Sequence, residues 1–399
     1  MIGRRGVAIC REGVYYLFVL AFIVGGATLR DINLLFILAG MMVGPLLFNW
    51  RFVAQSLRQL SISRRLPEQV FAGRPFRVEI CGQNHRRRLG SWMIVVDDCV
   101  QPETSDPEEG KRRAKPNASV VLPHVAAGGM GAAAYQVTLP QRGRYRFGPL
   151  WVSTRFPMGL VKATEKLKQF ERVIVWPRLG RLTPHWLALL DSRRLGRQTA
   201  HFRQGPIDGD YYGLREWRPG DSKRWIHWRT TAKLGKLAVR QFEEQQNQDL
   251  ALVLDLWLPS EARDEDRGRV EVAVSFAATL VDEVTRRGGS RLTIGLAARQ
   301  RGHWTAAASP LFAQQTLQRL ALVDAAPENH LAETLGEVVT SHPLGTQVVV
   351  ISTRSDQLLS IGRSESFAER HRHQRALGNV LWLDVGADEV RRVFEWEEQ

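Results

Sequence analysis

The stretch VYYLFVLAFIVGGATLRDINLLFILAGMMVGPLLFNW, residues 14–50, contains only one charged pair, Arg30 and Asp31, between two apolar runs. Neither Val14–Leu29 nor Ile32–Trp50 holds an Asp, Glu, Lys or Arg. At 1.5 Å per helical residue, nineteen residues reach about 28 Å, close to the hydrocarbon thickness of a bilayer. Two such runs with a minimal break predict a tight transmembrane hairpin. Gly25, Gly26, Gly40 and Gly44 are placed to let the helices approach closely, and Pro45 to kink the second near its end. Arg4, Arg5 and Arg11 precede the first run, and Arg51, Arg58, Arg64 and Arg65 follow the second. By the positive-inside rule both termini are cytoplasmic, in a plasma (inner) membrane, with Tyr15, Tyr16 and Trp50 at the cytoplasmic interface. The alternatives are a signal peptide cleaved near Gly25–Thr28, against which the second apolar run speaks, and a buried soluble helical hairpin.

Outside the hairpin the 399 residues are moderately polar: mean hydropathy is −0.23 over the chain, 44% of residues are hydrophobic and 24% charged. That balance excludes wholesale disorder, and the length calls for more than one domain. The net charge of +14 is unevenly held: residues 1–50 carry +2, residues 51–248 carry +18 and residues 249–399 carry −6. A basic middle next to a membrane hairpin points to anionic lipid headgroups or an acidic partner. Three cysteines, Cys10, Cys81 and Cys99, exclude a disulfide scaffold and a cysteine-rich zinc module. In a reducing cytosol Cys81 and Cys99 read as small buried residues.

From about Leu60 the pattern turns to short extended runs. Arg77–Cys81, Trp92–Val96, Ser119–Leu122, Tyr135–Leu139, Leu150–Ser153 and Val173–Trp176 are β-branched or aromatic segments bounded by Gly, Pro and Asn. They predict an Ig-like antiparallel β-sandwich over residues 53–180. The charged stretch 102–117, with its KRRAK cluster and acids just upstream, reads as a solvated loop.

Residues 205–244, GPIDGDYYGLREWRPGDSKRWIHWRTTAKLGKLAVRQFEE, lie in a connecting segment, 181–248. Pro219 and Gly220 suit the central positions of a type II turn between Arg218 and Asp221. Asp221 or Ser222 is placed to cap a helix running to about Leu234, Gly235 to stop it, and Lys236–Glu243 to form a strand. Three tryptophans, Trp217, Trp225 and Trp228, alternate with Arg215, Arg218, Lys223, Arg224, Arg229 and Lys233. Three readings compete. Glu216, Asp221 and His227 could form a catalytic or metal cluster, although their spacing fits no metal pattern. The Arg/Trp mixture could bind nucleic acid. The third, and the one preferred, is an ion-paired, Trp-packed joint between domains.

The run from Leu214 to Glu243 resembles the signature of the domain of unknown function 58 family. The matching residues are Leu214, Arg215 and Glu216, then Arg218, Pro219, Gly220 and Asp221, then Arg224, Ile226, His227 and Trp228, and finally Phe242 and Glu243. Upstream, Gln141–Tyr145 resembles the family's Arg-Gly-x-Tyr element, and Phe156–Leu160 its Asp-Pro-Phe-Gly-Leu turn, with Phe for Asp and Met for Phe. The resemblance implies a membrane-anchored protein with a β-sandwich and a von Willebrand factor A-like domain. It also implies association with a MoxR-type AAA+ ATPase in envelope-related assembly, without a settled activity.

Residues 249–399 alternate strand and helix, as a doubly wound α/β domain requires. Leu250–Leu256, Arg291–Ala297, Thr346–Ser352 and Asn379–Val385 read as strands, and Arg269–Arg286, Leu311–Leu322, His330–Thr340 and Glu365–Ala376 as helices. The resemblance brings a metal question with it, because von Willebrand A domains commonly hold Mg²⁺ through an Asp-x-Ser-x-Ser loop. Here Trp257 and Pro259 stand at the two serine positions after Asp255, so of that set only Asp255, Ser352, Thr353 and Asp356 remain as degenerate candidates. No metal or other cofactor is therefore expected. There is no nucleotide-binding glycine loop and no nucleophile elbow. The expectation is a multidomain chain, with the hairpin over 1–52, acting as a non-enzymatic scaffold that binds lipid and a protein partner and no nucleic acid. The other function classes are an envelope enzyme using Glu216, Asp221 and His227, and a nucleic-acid binder.

Overall fold

The computed structural model describes residues 5–103, 116–186, 211–218, 221–242, 249–289, 291–341, 346–355 and 380–395. They form two compact units, Met1–Arg178 with Gln318–Leu322, and Leu179–Leu317 with Val323–Gln399.

The first unit begins with strand β1 (Arg5–Ile9), then helices α1 (Arg11–Arg30) and α2 (Asn33–Ser56). The apolar sequence leaves these helices with outward-facing side chains: Phe22 is 77% and Leu29 86% exposed. Both helices are long and apolar enough to cross a membrane. The turn between them is closed by Asp31 in the left-handed conformation (φ 49°), which Asp tolerates better than most residues. The glycines do not mark the helix contact as expected. A Cβ on Gly25, Gly40 or Gly44 would meet nothing within 4 Å, and one on Gly26 only Leu35, at 3.8 Å. The pair is joined instead by the Tyr16 hydroxyl, which donates to the Met42 carbonyl at 2.9 Å. Small residues permit close packing but do not impose it when larger neighbours set the spacing.

Eleven more strands follow in this unit. They are β2 (Leu60–Arg65), β3 (Val70–Phe71), β4 (Pro75–Asn84), β5 (Ser91–Asp98), β6 (Val100–Pro102) and β7 (Ala118–Val125). Then come β8 (Met130–Thr138), β9 (Gly143–Phe147), β10 (Leu150–Thr154), β11 (Val161–Leu167) and β12 (Glu171–Trp176). They make three sheets, ordered β1-β11-β10-β5-β7, β3-β12-β9-β6 and β2-β4-β8, antiparallel except for β3 against β12. Alternation along β4 and β5 turns Val78, Ile80, Ile94 and Val96 inward against Leu122, Phe147 and Leu150. The KRRAK cluster lies outside the described residues. Cys81 and Cys99 are free and buried.

The hairpin is built into this unit at its polar end. Residues 5–9, read as a basic flank, pair with β11 in register Ile9↔Val161. The Cys10 amide donates to the Leu160 carbonyl at 2.9 Å, and a Cβ on Gly13 would collide with that same carbonyl oxygen. At the same end, Val53 of α2 and Leu57 just past it join the core, and buried Asn49 accepts from the Met158 amide at 3.2 Å.

The second unit contains β13 (Arg181–Leu182), β14 (Tyr211–Glu216), α3 (Trp228–Leu234), β15 (Ala238–Phe242) and β16 (Leu250–Asp255). It continues with α4 (Asp264–Arg287), β17 (Arg291–Ala297), β18 (Gly302–Ala307), α5 (Pro310–Leu322), of which Gln318–Leu322 counts with the first unit, and α6 (Leu331–Thr340). β19 (Gln347–Ser352), β20 (Val380–Asp384), α7 (Asp388–Val393) and β21 (Phe394–Glu395) complete it. The main sheet is ordered β18-β17-β16-β19-β20, parallel except for edge strand β18. Every residue of β16 is buried, as a central parallel strand requires. Helix α4 starts five residues before the expected Arg269, because Asp264, Glu265 and Asp266 suit the positive end of its dipole. The expected helix 365–376 lies outside the described residues. β21 pairs with β13, and Phe276 packs between Trp186 and Phe394.

Candidate functional site

Two places gather the candidate residues. In the first, β14 and β15 form an antiparallel hairpin in register Arg215↔Val239 and Glu216↔Ala238, and residues 217–237 make a long excursion at its end. The Asp221 amide donates to the Arg218 carbonyl at 3.0 Å, which closes the expected turn. Pro219, Gly220 and Glu243 lie outside the described residues. The Asp221 side chain is buried. Its carboxylate accepts from Arg215 Nη1 at 2.6 Å, Arg215 Nη2 at 2.7 Å and the Arg218 amide at 2.8 Å. The forked guanidinium hydrogen bond is the main reason this carboxyl is held below the usual range, and the same bond raises the Arg215 pKa.

The helix expected from Ser222 is split. Ser222 caps only a 3₁₀ turn, Lys223–Trp225, and α3 starts anew at Trp228. His227 is the reason. Its ring Nδ1 accepts from the Thr230 amide at 3.3 Å as the cap of α3, and its own amide donates to the Ala238 carbonyl at 2.8 Å. Gly235, with φ of 68°, ends α3 as its sequence position indicated. Glu216 is exposed and pairs with Lys236 at 3.1 Å. The acid/base candidates are thus held by different partners: Asp221 by Arg215, Glu216 by Lys236, His227 by Thr230. Trp217 and Trp225 are half-buried; Arg224 and Trp228 are exposed.

The second place is the C-terminal end of the parallel strands. Chain order reverses between β16 and β19, and crevices form at such switch points. Asp255, at the end of β16, is buried. Its carboxylate accepts from Ser352 Oγ at 2.7 Å, Arg354 Nε at 2.9 Å and Arg354 Nη2 at 3.2 Å. Arg354 also donates to Asn329 Oδ1 at 2.5 Å and lies over the Trp257 ring, 5.6 Å from its centroid. Thr353 Oγ1 donates to the Trp257 carbonyl at 2.7 Å. A depression of about 280 Å³ opens here, bounded by Trp257, Asp266, Arg269, Arg354, Ser355 and Asp384 among others. Asp356 lies outside the described residues.

These donors do not fit a hard divalent cation. Asp255 already faces a guanidinium on both oxygens, Trp257 and Pro259 offer no hydroxyl, and a cation placed beside Arg354 would be repelled. Sequence reasoning named Asp255 and Ser352 but missed Arg354. Its signal was a basic residue two positions after Ser352, at the end of a strand adjacent to β16.

No curated protein matches the chain. Among solved structures, the CARDB domain of a Pyrococcus furiosus protein is similar at 12% identity and TM-score 0.18, covering 28% of this chain and 93% of that one. The Bacillus subtilis sporulation control protein Spo0M is similar at 14% identity and TM-score 0.20, covering 34% and 56%. Scores this low carry no argument about fold or function. Residues 213–386, from the β14 hairpin to just past β20, match the model of the family described as protein of unknown function DUF58.

Proposed function

We propose that this protein is a membrane-anchored, non-enzymatic scaffold. In this reading α1 and α2 insert in the plasma (inner) membrane with both termini cytoplasmic. The strands of the first unit are an Ig-like sandwich whose basic excess lies near anionic headgroups. The second unit is a von Willebrand factor A-like module that binds a protein partner, with a MoxR-type AAA+ ATPase as the candidate in envelope-related assembly.

The observation that carries the reading is the depression at the strand ends. It is lined by charged side chains of both signs, Asp266 and Asp384 against Arg269 and Arg354, around an arginine fixed by Asp255 and Asn329. A mixed-charge concavity favours recognition of a partner's polar side chains over turnover of a substrate. The test is binding of a purified MoxR-type ATPase from the same organism to the detergent-solubilised chain. Arg269→Glu at the rim is expected to weaken binding by about tenfold, a typical effect for a well-placed interface charge. No binding, or binding indifferent to the rim, removes the proposal.

A further inference from the structure

The excursion between β14 and β15 has a surface that neither its fold nor the proposed partner site uses. Trp228, at the start of α3, is 67% exposed; Leu234, at its end, is 64% exposed, and Leu237 follows at 41%. Residues 217–237 hold six basic residues, Arg218, Lys223, Arg224, Arg229, Lys233 and Lys236, and one acid, Asp221. That acid is buried against Arg215, and all six basic residues are exposed. The register Glu216↔Ala238 places all of these residues at one end of the hairpin. The result is a tryptophan and two leucines set among positive charge; among the described residues Lys236 is ion-paired, with exposed Glu216.

We infer that this excursion docks on the anionic surface of the membrane that holds α1 and α2. The inference rests on the membrane-anchored reading and adds a second contact to it. The chemistry selects the occupant. Lipid phosphates match the basic residues, and the headgroup boundary takes an amphipathic indole and leucines at the same time. A nucleic acid would use the charges and one ring but would leave Leu234 and Leu237 in water. An acidic protein could use the charges, but it would have to be captured from solution, whereas the tether presents the bilayer at high effective concentration.

The experiment uses the full chain in nanodiscs with bromine-labelled acyl chains, made with phosphatidylglycerol or with phosphatidylcholine alone. Subtracting the fluorescence of Trp228→Phe from that of the wild type isolates Trp228 from the other tryptophans. Docking predicts that its emission is at least halved in the anionic discs and little changed in the neutral ones. Arg229→Glu with Lys233→Glu should abolish that quenching, while alkaline carbonate still leaves the chain in the membrane. Trp228 equally bright in both discs and open to aqueous iodide overturns the docking and leaves the anchor standing. Extraction of the chain by carbonate overturns the anchor itself, and the docking with it. Shielding of Trp228 from iodide in neutral discs by an added RNA or acidic polypeptide would reassign the surface to that partner.

Discussion

Asp98 and Asp255 are both buried aspartates closed by an arginine, one in each unit, and they differ in what lies beyond the guanidinium. Asp98, at the end of β5, accepts from Arg64 Nε at 2.8 Å, Arg64 Nη2 at 2.6 Å, the Tyr135 hydroxyl at 2.6 Å and the Cys99 amide at 2.7 Å. The Arg64 side chain is 0% exposed, lies over Phe147 and reaches Glu171 at 3.6 Å. Burial pushes the Tyr135 hydroxyl far up, and the carboxylate it bonds pushes it further; burial likewise raises Glu171 against the pull of Arg64. Asp255 has fewer donors, and its Arg354 retains 12% exposure at the edge of a cavity. A sealed pair acts as part of the core. A pair that opens on a cavity can be exchanged for water or for another ion, and that is where recognition can evolve.

The largest effect is expected at the sealed pair. Asp98→Ala leaves Arg64 buried without its counter-charge, and should destabilise the first unit by about 3–5 kcal/mol in urea unfolding of the detergent-solubilised chain. Arg64→Met combined with Asp98→Leu removes both charges and should recover part of that loss, the Tyr135 hydroxyl and the Cys99 amide being left without their acceptor. If Asp98→Ala costs less than about 1 kcal/mol, water reaches the site and the contrast with Asp255 disappears.

Arg215–Asp221 has the most exposed arginine of the three, at 30%, although its aspartate is covered. The folded-state pKa of Asp221 is depressed, so its contribution is complete above the unfolded value, about 4, and is lost as pH falls through the folded value. Arg215→Ala should therefore cost about 1 kcal/mol near neutral pH, a modest figure because of solvent screening. It should also flatten the acid limb. Hydrogen exchange in residues 217–237, corrected for intrinsic rates, measures both. An acid limb as steep in the variant as in the wild type would assign it to another group.

The contrast between the pairs also explains what the sequence could and could not reveal. Hydrophobic pattern is local, so α1, α2, the six strands β4, β5, β7, β8, β10 and β12, and β16, β17 and β19 were legible to within a few residues, whereas β2, β3, β6, β9 and β11 went unnamed. Strand β1 was not legible either: RGVAI is short and starts with a charge, and only its pairing with β11, more than 150 residues away, makes it a strand. Strand β18, GHWTAA, is rich in Ala and carries its alternation only in burial. Arg64 read as a membrane flank because its partner is 34 residues distant. Asp221 and Arg215 were adjacent enough to notice, but a choice between catalysis and pairing required the geometry. At the strand ends Asp255 was visible, whereas Arg354, 99 residues on, was missed.

A change in stability no larger than that of Arg215→Ala, and the sharpest test of the comparison, is expected at the open pair. In Arg354→Met, Asp255 keeps the Ser352 hydroxyl, and the guanidinium it loses lines a cavity from which water can take its place, so the loss should be about 1 kcal/mol. The qualitative response should change more than the stability. With the guanidinium gone, a carboxylate beside a hydroxyl and an open volume is left for a hard cation. Millimolar Mg²⁺ should then raise the thermal midpoint of Arg354→Met by mass action and leave the wild type unmoved. Arg64→Met is the control, since Asp98 has no such opening and should show no response. A Mg²⁺ response in the wild type would mean that Arg354 does not hold the cation position. A response in neither variant would mean that Trp257 and Pro259, and not the arginine, keep the site closed to metal.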